Sequence, residues 1–413
     1  MSAVEQAVAD AHRREWAYVL AATVRVTRDL DAAEEAVQDA YVQALRTWAR
    51  DGVPRRPGAW LTTVARRRAL NAMRRQQTFE AKRPLLLVEP ADTQVAGPDT
   101  SAIADDRLRL IFTCCHPALA REAQVALTLR LVCGVATADI AHAFLVAEAT
   151  MAARLTRAKR KIATARIPYV VPSAGDLAER VDAVLTVIHL LYATGHTAPS
   201  GDDLVRDELT GRALDLARLL RRLLPHDREA AGLLALLLVH QARRATRTDA
   251  NGRLLRLEEQ DRSAWDRDLI AEADRLVVAA LSAGPPGRFT LQAAIAALHA
   301  QAASYGDTDW PQILTLYDEL LRIWPTPVVA LNRAVAVSMV DGPAAALAEV
   351  EAIEQDGRLA GYRYLPATKA DLLHRLGRDA EAARAYRAAL ALSDNAAEQE
   401  FLTERARSAQ PGS

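Results

Sequence analysis

The chain has 413 residues, of which 50% are hydrophobic and 25% charged, and this composition excludes a disordered or low-complexity protein. Its longest aliphatic run, residues 233–239, is far shorter than the roughly 20 residues that a membrane span needs, and three cysteines without regular spacing exclude a disulfide scaffold. We therefore expect a globular cytoplasmic protein without a signal peptide or a membrane partner.

The net charge is zero, but the charges are unevenly distributed. Residues 1–170 contain 25 Lys/Arg and 18 Asp/Glu, an excess of +7, whereas residues 171–413 contain 27 and 34, an excess of −7. This asymmetry indicates a basic part that faces nucleic acid and an acidic part with a different task.

Residues 29–45 predict an amphipathic helix with an acidic face. Val37, Tyr41 and Leu45 recur at helical spacing, and most residues between them are polar or small. An acidic helix that precedes a basic one is a candidate for docking on another protein, with a solvated helix face as the alternative.

Residues 54–83 form the first basic block, with nine Lys/Arg and Glu80 as the one acid. Within it, residues 60–75 predict an amphipathic helix in which Trp60, Val64 and Leu70 pack inward and the arginines face outward. An aromatic side chain beside arginines suits single-stranded DNA, because bases stack on the ring while cations neutralise the backbone. Simple core packing of Trp60 is the alternative.

Residues 84–104 contain three prolines and a glycine among polar residues and predict a linker.

The segment Cys114-Cys115-His116 follows the linker. Adjacent cysteines cannot easily share one tetrahedral zinc ion, and no second Cys/His pair has the spacing of zinc ligands. We therefore expect buried structural thiols and no metal site.

Residues 137–162 predict a helix-turn-helix, with Ile140, Phe144, Met151, Leu155 and Ile162 on its buried side. Residues 148–166 hold six basic residues against one acid, a charge of +5. A cationic second helix fits the major groove and neutralises phosphates, so duplex DNA binding is favoured over a solvated cationic face.

The remainder predicts helices, with one small hairpin near 246–257 around Asn251-Gly252. Further breaks at 168–175 and 283–287 divide it. Tyr317 and Tyr386 begin similar segments 69 residues apart, about twice the period of a tetratricopeptide repeat, and residues 329–339 and 343–353 supply a helix pair between them. The predicted fold is all-α, and its domains are 1–83, the linker 84–104, the helix-turn-helix domain 105–166, a helical middle domain 167–288 and a tetratricopeptide-like domain 289–413.

These segments together carry a family resemblance. Residues 13–75, with Asp31-Ala-Ala-Glu-Glu-Ala-Val-Gln-Asp-Ala-Tyr41 and Pro57-Gly-Ala-Trp-Leu-Thr-Thr-Val64, resemble region 2 of extracytoplasmic-function sigma factors, and residues 106–162 resemble their region 4. The chain also resembles the subgroup that has a long tetratricopeptide-like extension as its tail. Segments that carry this resemblance include Phe112–Pro117, Thr308-Asp-Trp310 and Pro327–Val335.

The resemblance implies three contact sets. Asp31, Glu34, Gln38, Asp39 and Tyr41 would dock on the clamp helices of the largest subunit of core RNA polymerase. Trp60, Thr63, Arg66, Arg67, Asn71, Arg74 and Arg75 would capture and melt promoter DNA. Thr150, Met151, Arg154, Arg157, Lys159, Arg160 and Lys161 would read the upstream promoter element.

Two departures from the family pattern bear on these expectations. Asn71 stands where many sigma factors have Asp, and Leu145 stands in the helix-turn-helix turn where they have Gly. Leu with a positive φ would be strained, so we expect another turn geometry there. In the tail, Leu191–Gly195 replaces a Phe-Asn-Glu-Gly segment, so the role of that segment does not carry over.

Nothing in the sequence predicts an enzyme or a cofactor, because no Gly-rich phosphate loop, Ser-His-Asp order or paired-carboxylate motif stands out. The tail is expected to be regulatory, with a possible protein partner. Two alternatives remain open: a stand-alone helix-turn-helix regulator with a sensing tail, which would bind duplex DNA without polymerase, and a helical scaffold, which would not bind DNA.

Overall fold

The computed structural model describes residues 3–81, 106–144, 146–197, 200–201, 207–249 and 252–409, and most of them are α-helical. In this part of the chain the strands are limited to β1 (Ser200–Gly201) and β2 (Asp394–Asn395), which pair in parallel. The predicted all-α class is confirmed. The predicted linker 84–104 lies outside the described residues.

Contacts divide the chain into two compact units, Met1–Val187 and Ile188–Ser413. The helices of the first unit are α1 (Ala3–Thr27), α2 (Leu30–Asp51), α3 (Pro57–Ala81), α4 (Asp106–Cys114), α5 (Arg121–Leu127), α6 (Thr137–Ala143), α7 (Glu148–Thr164) and the first part of α8 (Ala174–His196), with a π-helical segment (Thr128–Val132) directly after α5. The bounds of the four domains and the linker named above stay predictions.

Helices α1, α2 and α3 pack on one another around a shared core. Asp29 starts α2, because its carboxylate accepts hydrogen bonds from the backbone N–H groups of Asp31 and Ala32 at 2.8 and 2.9 Å. Apolar side chains that repeat at helical spacing, such as those of Leu20, Trp48 and Leu61, are almost fully buried between the three helices.

This three-helix core is joined to the segment that leads into the helix-turn-helix. The indole Nε1 of Trp16 donates to the carbonyl oxygen of Leu131 at 3.0 Å. Gly134 allows the approach, because its φ is +68° and a Cβ there would lie 2.9 Å from Cγ of Trp16. The hydroxyl of Tyr169 lies 3.0 Å from the carbonyl oxygens of both Ala21 and Asp106. The two predicted DNA-binding parts therefore pack together within one unit.

The second unit begins with the end of α8 and continues through α9 to α18. Its helices are α9 (Asp207–Leu223), α10 (Arg228–Ala242), α11 (Arg267–Ser282), α12 (Arg288–Gln301), α13 (Trp310–Ile323), α14 (Pro327–Val340), α15 (Pro343–Asp356), α16 (Tyr364–Arg375), α17 (Asp379–Ala391) and α18 (Ala396–Ser408). Short 3-10 turns occur at Arg244–Thr246 and Arg262–Ala264. Helices α13 to α18 each contact the next along the chain, and α14 and α15 form the helix pair expected at 329–339 and 343–353.

Helix α10 is the centre of the first half of this unit. It contains the aliphatic run 233–239, is buried on nearly all sides, and contacts α9, α11 and α12. A helix that is apolar all round needs such a buried place. Of the helices in the described ranges, none combines the length and the apolar character of a membrane-crossing segment.

The predicted hairpin near 246–257 is reduced to one antiparallel bridge between Thr248 and Leu254. Flanking backbone hydrogen bonds join Leu255 N to Arg247 O at 2.8 Å and Asp249 N to Arg253 O at 2.9 Å. Its turn residues 250 and 251 lie outside the described part. The ladder stops because the chain on the N-terminal side is already coiled into the 3-10 turn Arg244–Thr246.

Gly232→Ala is expected to destabilise the protein by about 1–3 kcal/mol, since an added Cβ would lie 2.6 Å from the backbone N of Thr290 where α10 meets α12. The matched control is Gly211→Ala in α9, where a Cβ meets no atom within 4 Å and helix propensity gives about 0.5–1 kcal/mol of added stability. Chemical denaturation of both variants measures the difference, and equal stabilities would contradict the close helix contact.

Candidate nucleic-acid interface

Helix α3 carries an open groove of about 490 Å³ on its outer face, lined by Thr62, Thr63, Arg66, Arg67, Leu70, Asn71 and Arg74. Five of the seven residues predicted for DNA melting line this groove, and Arg75 is exposed beside it. Neither Arg66 nor Arg67 forms a salt bridge with any described carboxylate. Two adjacent cations without a described acidic partner are available to a phosphate backbone.

The buried side of α3 differs from the predicted one. Leu61, Ala65 and Ala69 are at most 2% exposed, whereas Leu70 is 41% exposed. Positions 61, 65 and 69 follow one another every four residues and share a face, and Leu70 lies about 100° around the helix from Ala69. The inward placement predicted for Leu70 is therefore wrong, and this side chain adds an apolar patch to the groove.

Trp60 occupies a position between core and surface. Its ring meets the buried ring of Trp48 edge-on, with centroids 5.6 Å apart, and its own side chain is only partly buried. The ring is thus held in place by Trp48 while part of it reaches solvent. Its assignment to DNA contact stays a prediction.

Helix α7 has the burial pattern expected of the second helix of a helix-turn-helix. Met151, Leu155, Ala158 and Ile162 are at most 7% exposed, while Thr150, Arg157, Arg160 and Lys161 are exposed and Arg154 partly so. Met151 is fully buried, which corrects its assignment to the DNA-reading set, because a side chain packed into the core cannot reach base edges. The predicted strain at Leu145 lies outside the described residues.

Tyr41 also belongs to the core rather than to a docking surface. It is 7% exposed, stacks with Trp16 at 5.9 Å between ring centroids, and its hydroxyl donates to the carbonyl oxygen of Ala11 at 3.3 Å. Burial, helped by the charge of Glu15, raises the pKa of Tyr41 far above its usual value. Its assignment to polymerase contact is therefore corrected, because packing against Trp16 and the bond to Ala11 hold the side chain inside.

Lys159 does not lie free on the outer face of α7, because it reaches two carboxylates of α2. Its Nζ lies 2.7 Å from Oδ1 of Asp31 and 2.6 Å from Oε2 of Glu34, and Arg130 pairs with the other oxygen of Glu34. The side chains of Lys159 and Glu34 are only 13% and 8% exposed. We call these four residues, Asp31, Glu34, Arg130 and Lys159, the inter-helix ion cluster.

The electrostatics of the cluster favour its charged form. Burial lowers the pKa of Lys159, but the hydrogen bonds and negative charges of Asp31 and Glu34 outweigh burial and raise it above the usual value. Lys159 therefore stays charged at neutral pH. The cluster joins Lys159, which is predicted to read DNA, with Asp31 and Glu34, which are predicted to bind polymerase. While these side chains pair with one another, they cannot also contact DNA or polymerase.

The other two members of the acidic set lie at the surface. Gln38 is exposed and donates to Oε1 of Glu34 at 3.3 Å. Asp39 is exposed and pairs with Arg68 of α3 at 2.5 Å, while Arg68 also donates to Gln43 at 3.1 Å. The acidic and basic helices are therefore held side by side, which fixes the orientation of the groove on α3.

The adjacent cysteines are core residues. Cys114 and Cys115 are 0% and 1% exposed, and Sγ of Cys115 lies 3.5 Å from Oγ1 of Thr128. Burial raises the pKa of Cys115 to about 11 and that of Cys114 well above its usual value, so both remain thiols at neutral pH. Buried, protonated sulfur is consistent with a structural role.

The sequence analysis did not single out Arg130 or Tyr169. Arg130 is the lone cation within the apolar run 125–132, and a charge in such a run signals a buried partner. Tyr169 stands in a segment interpreted only as a boundary, and no local pattern reveals its two backbone contacts.

Comparisons with known families match three segments of the chain. The family described as Sigma-70 region 2 matches residues 7–79, and Sigma-70, region 4 matches residues 109–162. A family of unknown function (DUF6596) matches residues 180–281. An uncharacterized protein of Rhizobium meliloti (strain 1021) is 45% identical over 387 residues, which cover 93% of this chain and 91% of that protein.

Proposed function

Because the chain belongs to the sigma-70 family, as an extracytoplasmic-function type sigma factor with a C-terminal extension, we propose that it binds core RNA polymerase and opens promoter DNA. The observation that supports this most is the groove on α3, where five residues predicted for melting lie together on an exposed cationic face. A regulator that binds only duplex DNA has no need of such a surface.

In the proposed mechanism, α3 captures the strand that separates at the upstream edge of the bubble. Arg66, Arg67 and Arg74 neutralise its phosphates, and Thr63 and Asn71 offer hydrogen bonds to bases that have left the stack. Leu70 and the exposed part of Trp60 provide apolar contact for those bases. Such contacts favour the open over the paired state without covalent chemistry.

Helix α7 would read the upstream element in the major groove. Its exposed N-terminal residue Thr150, followed by Arg154 and Arg157, is in the position from which such helices reach base edges. Arg160 and Lys161 lie nearer the C-terminal end and would neutralise phosphates.

Docking on polymerase would use Asp31, Glu34, Gln38 and Asp39 of α2. Because Asp31 and Glu34 are held by Lys159 and Arg130, the inter-helix ion cluster has to open before these carboxylates meet a partner. Opening would also release Lys159 to DNA. We therefore propose that polymerase and promoter together replace the ion pairs that the free protein makes with itself.

Run-off transcription with purified bacterial core polymerase, on DNA from upstream of this protein's own gene, tests the proposal. Specific transcripts that require the protein support it. Tight duplex binding by the protein alone, with no transcript, would favour the stand-alone regulator. Absence of both would favour a scaffold.

The second unit is proposed to be a regulatory platform that transcription requires. A truncation after Val187 keeps the contacts that Tyr169 and Arg180 make within the first unit. It is expected to lower promoter output. A cut at Arg166 would remove both contacts, and a lower output could then result from misfolding as well as from loss of regulation. Run-off transcription compares the truncated and full chains at equal concentration, and equal output would contradict the regulatory role.

A further inference from the structure

Three helices of the second unit end close to one another around a group of arginines. Helix α8 ends at His196, α10 at Ala242 and α12 at Gln301. Arg243, Arg247 and Arg262 lie among these ends, and we call them the arginine cluster. None of the three forms a salt bridge with a carboxylate in the part of the chain that the structure describes.

Two of the three arginines bond to helix ends. Arg247 donates to the carbonyl oxygen of His196 and, at 3.0 Å, to Oγ1 of Thr197. Arg262 donates to the carbonyl oxygens of His299 and Ala302 at 2.5 and 2.9 Å. Cationic side chains satisfy helix C-termini in this way, so these bonds explain part of the cluster.

Arg243 has no such explanation. Its guanidinium carbon lies 5.8 Å from the ring centre of Trp265, and that of Arg262 lies 4.8 Å from the same ring. No hydrogen-bond acceptor meets the buried Nε of Arg243 or the buried Nη2 of Arg262. Buried donors without acceptors are rare in native proteins and point to a missing partner.

Further polar atoms without partners lie in the same place. The buried hydroxyl of Tyr192 and the buried Nδ1 atoms of His196 and His240 have no hydrogen-bond partner. Their rings are in contact: His196 stacks on Tyr192 with centroids 5.4 Å apart and lies tilted against His240 at 5.1 Å. Arg247 donates to the carbonyl oxygen of His196, whose ring contacts that of Tyr192, so Tyr192 lies beside the arginine cluster.

The charges near the cluster do not cancel. Burial, followed by the charges of Arg247 and Arg243, lowers the pKa of His196 to about 2, so this ring is neutral. The carboxylate that acts on Arg247 is that of Glu398, which already accepts bonds from Arg363 and Tyr364. Three full positive charges are opposed by the partial negative charges of three helix C-termini and by the carboxylate of Asp307, which acts on Arg262 without forming a salt bridge with it.

We infer that the arginine cluster is a binding site for a compact oxyanion, the phosphate or carboxylate group of a small ligand. Planar guanidinium groups and a phenolic O–H are the donors that recognise such anions. A bound anion would accept from the buried donors of Arg243, Arg262 and Tyr192 and would balance the excess charge. Arg243, Arg247, Arg262 and Tyr192 all lie in the segment that matches the family of unknown function.

Isothermal titration calorimetry and thermal unfolding of the full-length protein test the inference, with inorganic phosphate and succinate as separate probes and sodium chloride at equal ionic strength as the reference. We expect one of the two anions to bind saturably and to raise Tm above its value in sodium chloride. Binding of phosphate would identify a phosphate site, and binding of succinate a carboxylate site. Saturable binding of neither anion would overturn the inference.

Arg243→Gln is expected to raise Tm in the absence of anion, because it removes a positive charge that no described carboxylate neutralises, and to weaken anion binding by about tenfold or more. Arg322→Gln is the matched control, since Arg322 is 69% exposed and pairs with Glu319 beside it. Tyr192→Phe keeps the ring and removes the hydroxyl, so it should fold normally and bind the anion several-fold more weakly. Unchanged binding in both Arg243→Gln and Tyr192→Phe would contradict the site.

Discussion

Replacing Arg66, Arg67 and Arg74 together with alanine is expected to lower promoter-dependent run-off transcription by about 100-fold to 1,000-fold, because the three lost contacts are together worth roughly 3–4 kcal/mol. All three side chains are exposed on the groove of α3, so the free energy of unfolding should change by less than about 0.5 kcal/mol for each substitution. Binding of core polymerase should persist, because the acidic residues of α2 are untouched. Permanganate footprinting of the bubble measures the opening step directly.

The control for this triple variant removes the same charge elsewhere. Arg322, Arg358 and Arg378 are exposed arginines of the second unit, and each pairs with a nearby carboxylate of its own turn or loop. Their replacement by alanine should leave transcription within about twofold, as expected for surface changes remote from the DNA. If both triple variants lost activity equally, net charge rather than the α3 groove would account for the effect.

Arg130→Gln is expected to strengthen binding to core polymerase by about fivefold to tenfold, which corresponds to roughly 1–1.4 kcal/mol of coupling. Arg130 pairs with Glu34 but belongs to neither the predicted DNA set nor the predicted polymerase set. Its loss therefore weakens the inter-helix ion cluster without removing a proposed contact. Fluorescence anisotropy of labelled protein titrated with core enzyme gives the affinity.

The partner variant separates opening of the cluster from docking. Glu34→Gln breaks the same pair but also removes a carboxylate proposed to meet polymerase, so its affinity should fall rather than rise. Both variants should lower stability by about 1–3 kcal/mol, because each leaves a mostly buried charge with fewer partners. Equal changes in affinity for Arg130→Gln and Glu34→Gln would rule out the proposed exchange of partners.

Much of the fold could be predicted because local patterns determine it. Helical spacing predicts α2, and the helical spacing of Met151, Leu155 and Ile162, which are four and then seven residues apart, predicts the buried side of α7. The exposed arginines of α3 could be predicted from charge alone, since a run of cations in one helix has few ways to be buried.

The errors come from contacts between distant parts of the chain. Tyr41 has the spacing of a helix face, but only the meeting of α1 with α2 makes its site deep enough to bury the ring. The state of Lys159 depends on a carboxylate 125 positions earlier, which no local pattern reveals. The error at Leu70 is local instead: the prediction places its side chain on the wrong side of the helix, and one step along a helix turns a side chain by about 100°.

Pairing of Lys159 with Asp31 and Glu34 also bears on how the protein responds to salt. A lysine that neutralises a phosphate normally sets free a cation condensed on the DNA, and each such event makes binding more sensitive to ionic strength. Here the same lysine first leaves two carboxylates of its own chain, and these attract cations from solution unless polymerase covers them. The promoter affinity of the free protein should therefore depend less on salt than its number of phosphate contacts implies, whereas the polymerase-bound form should show the full dependence.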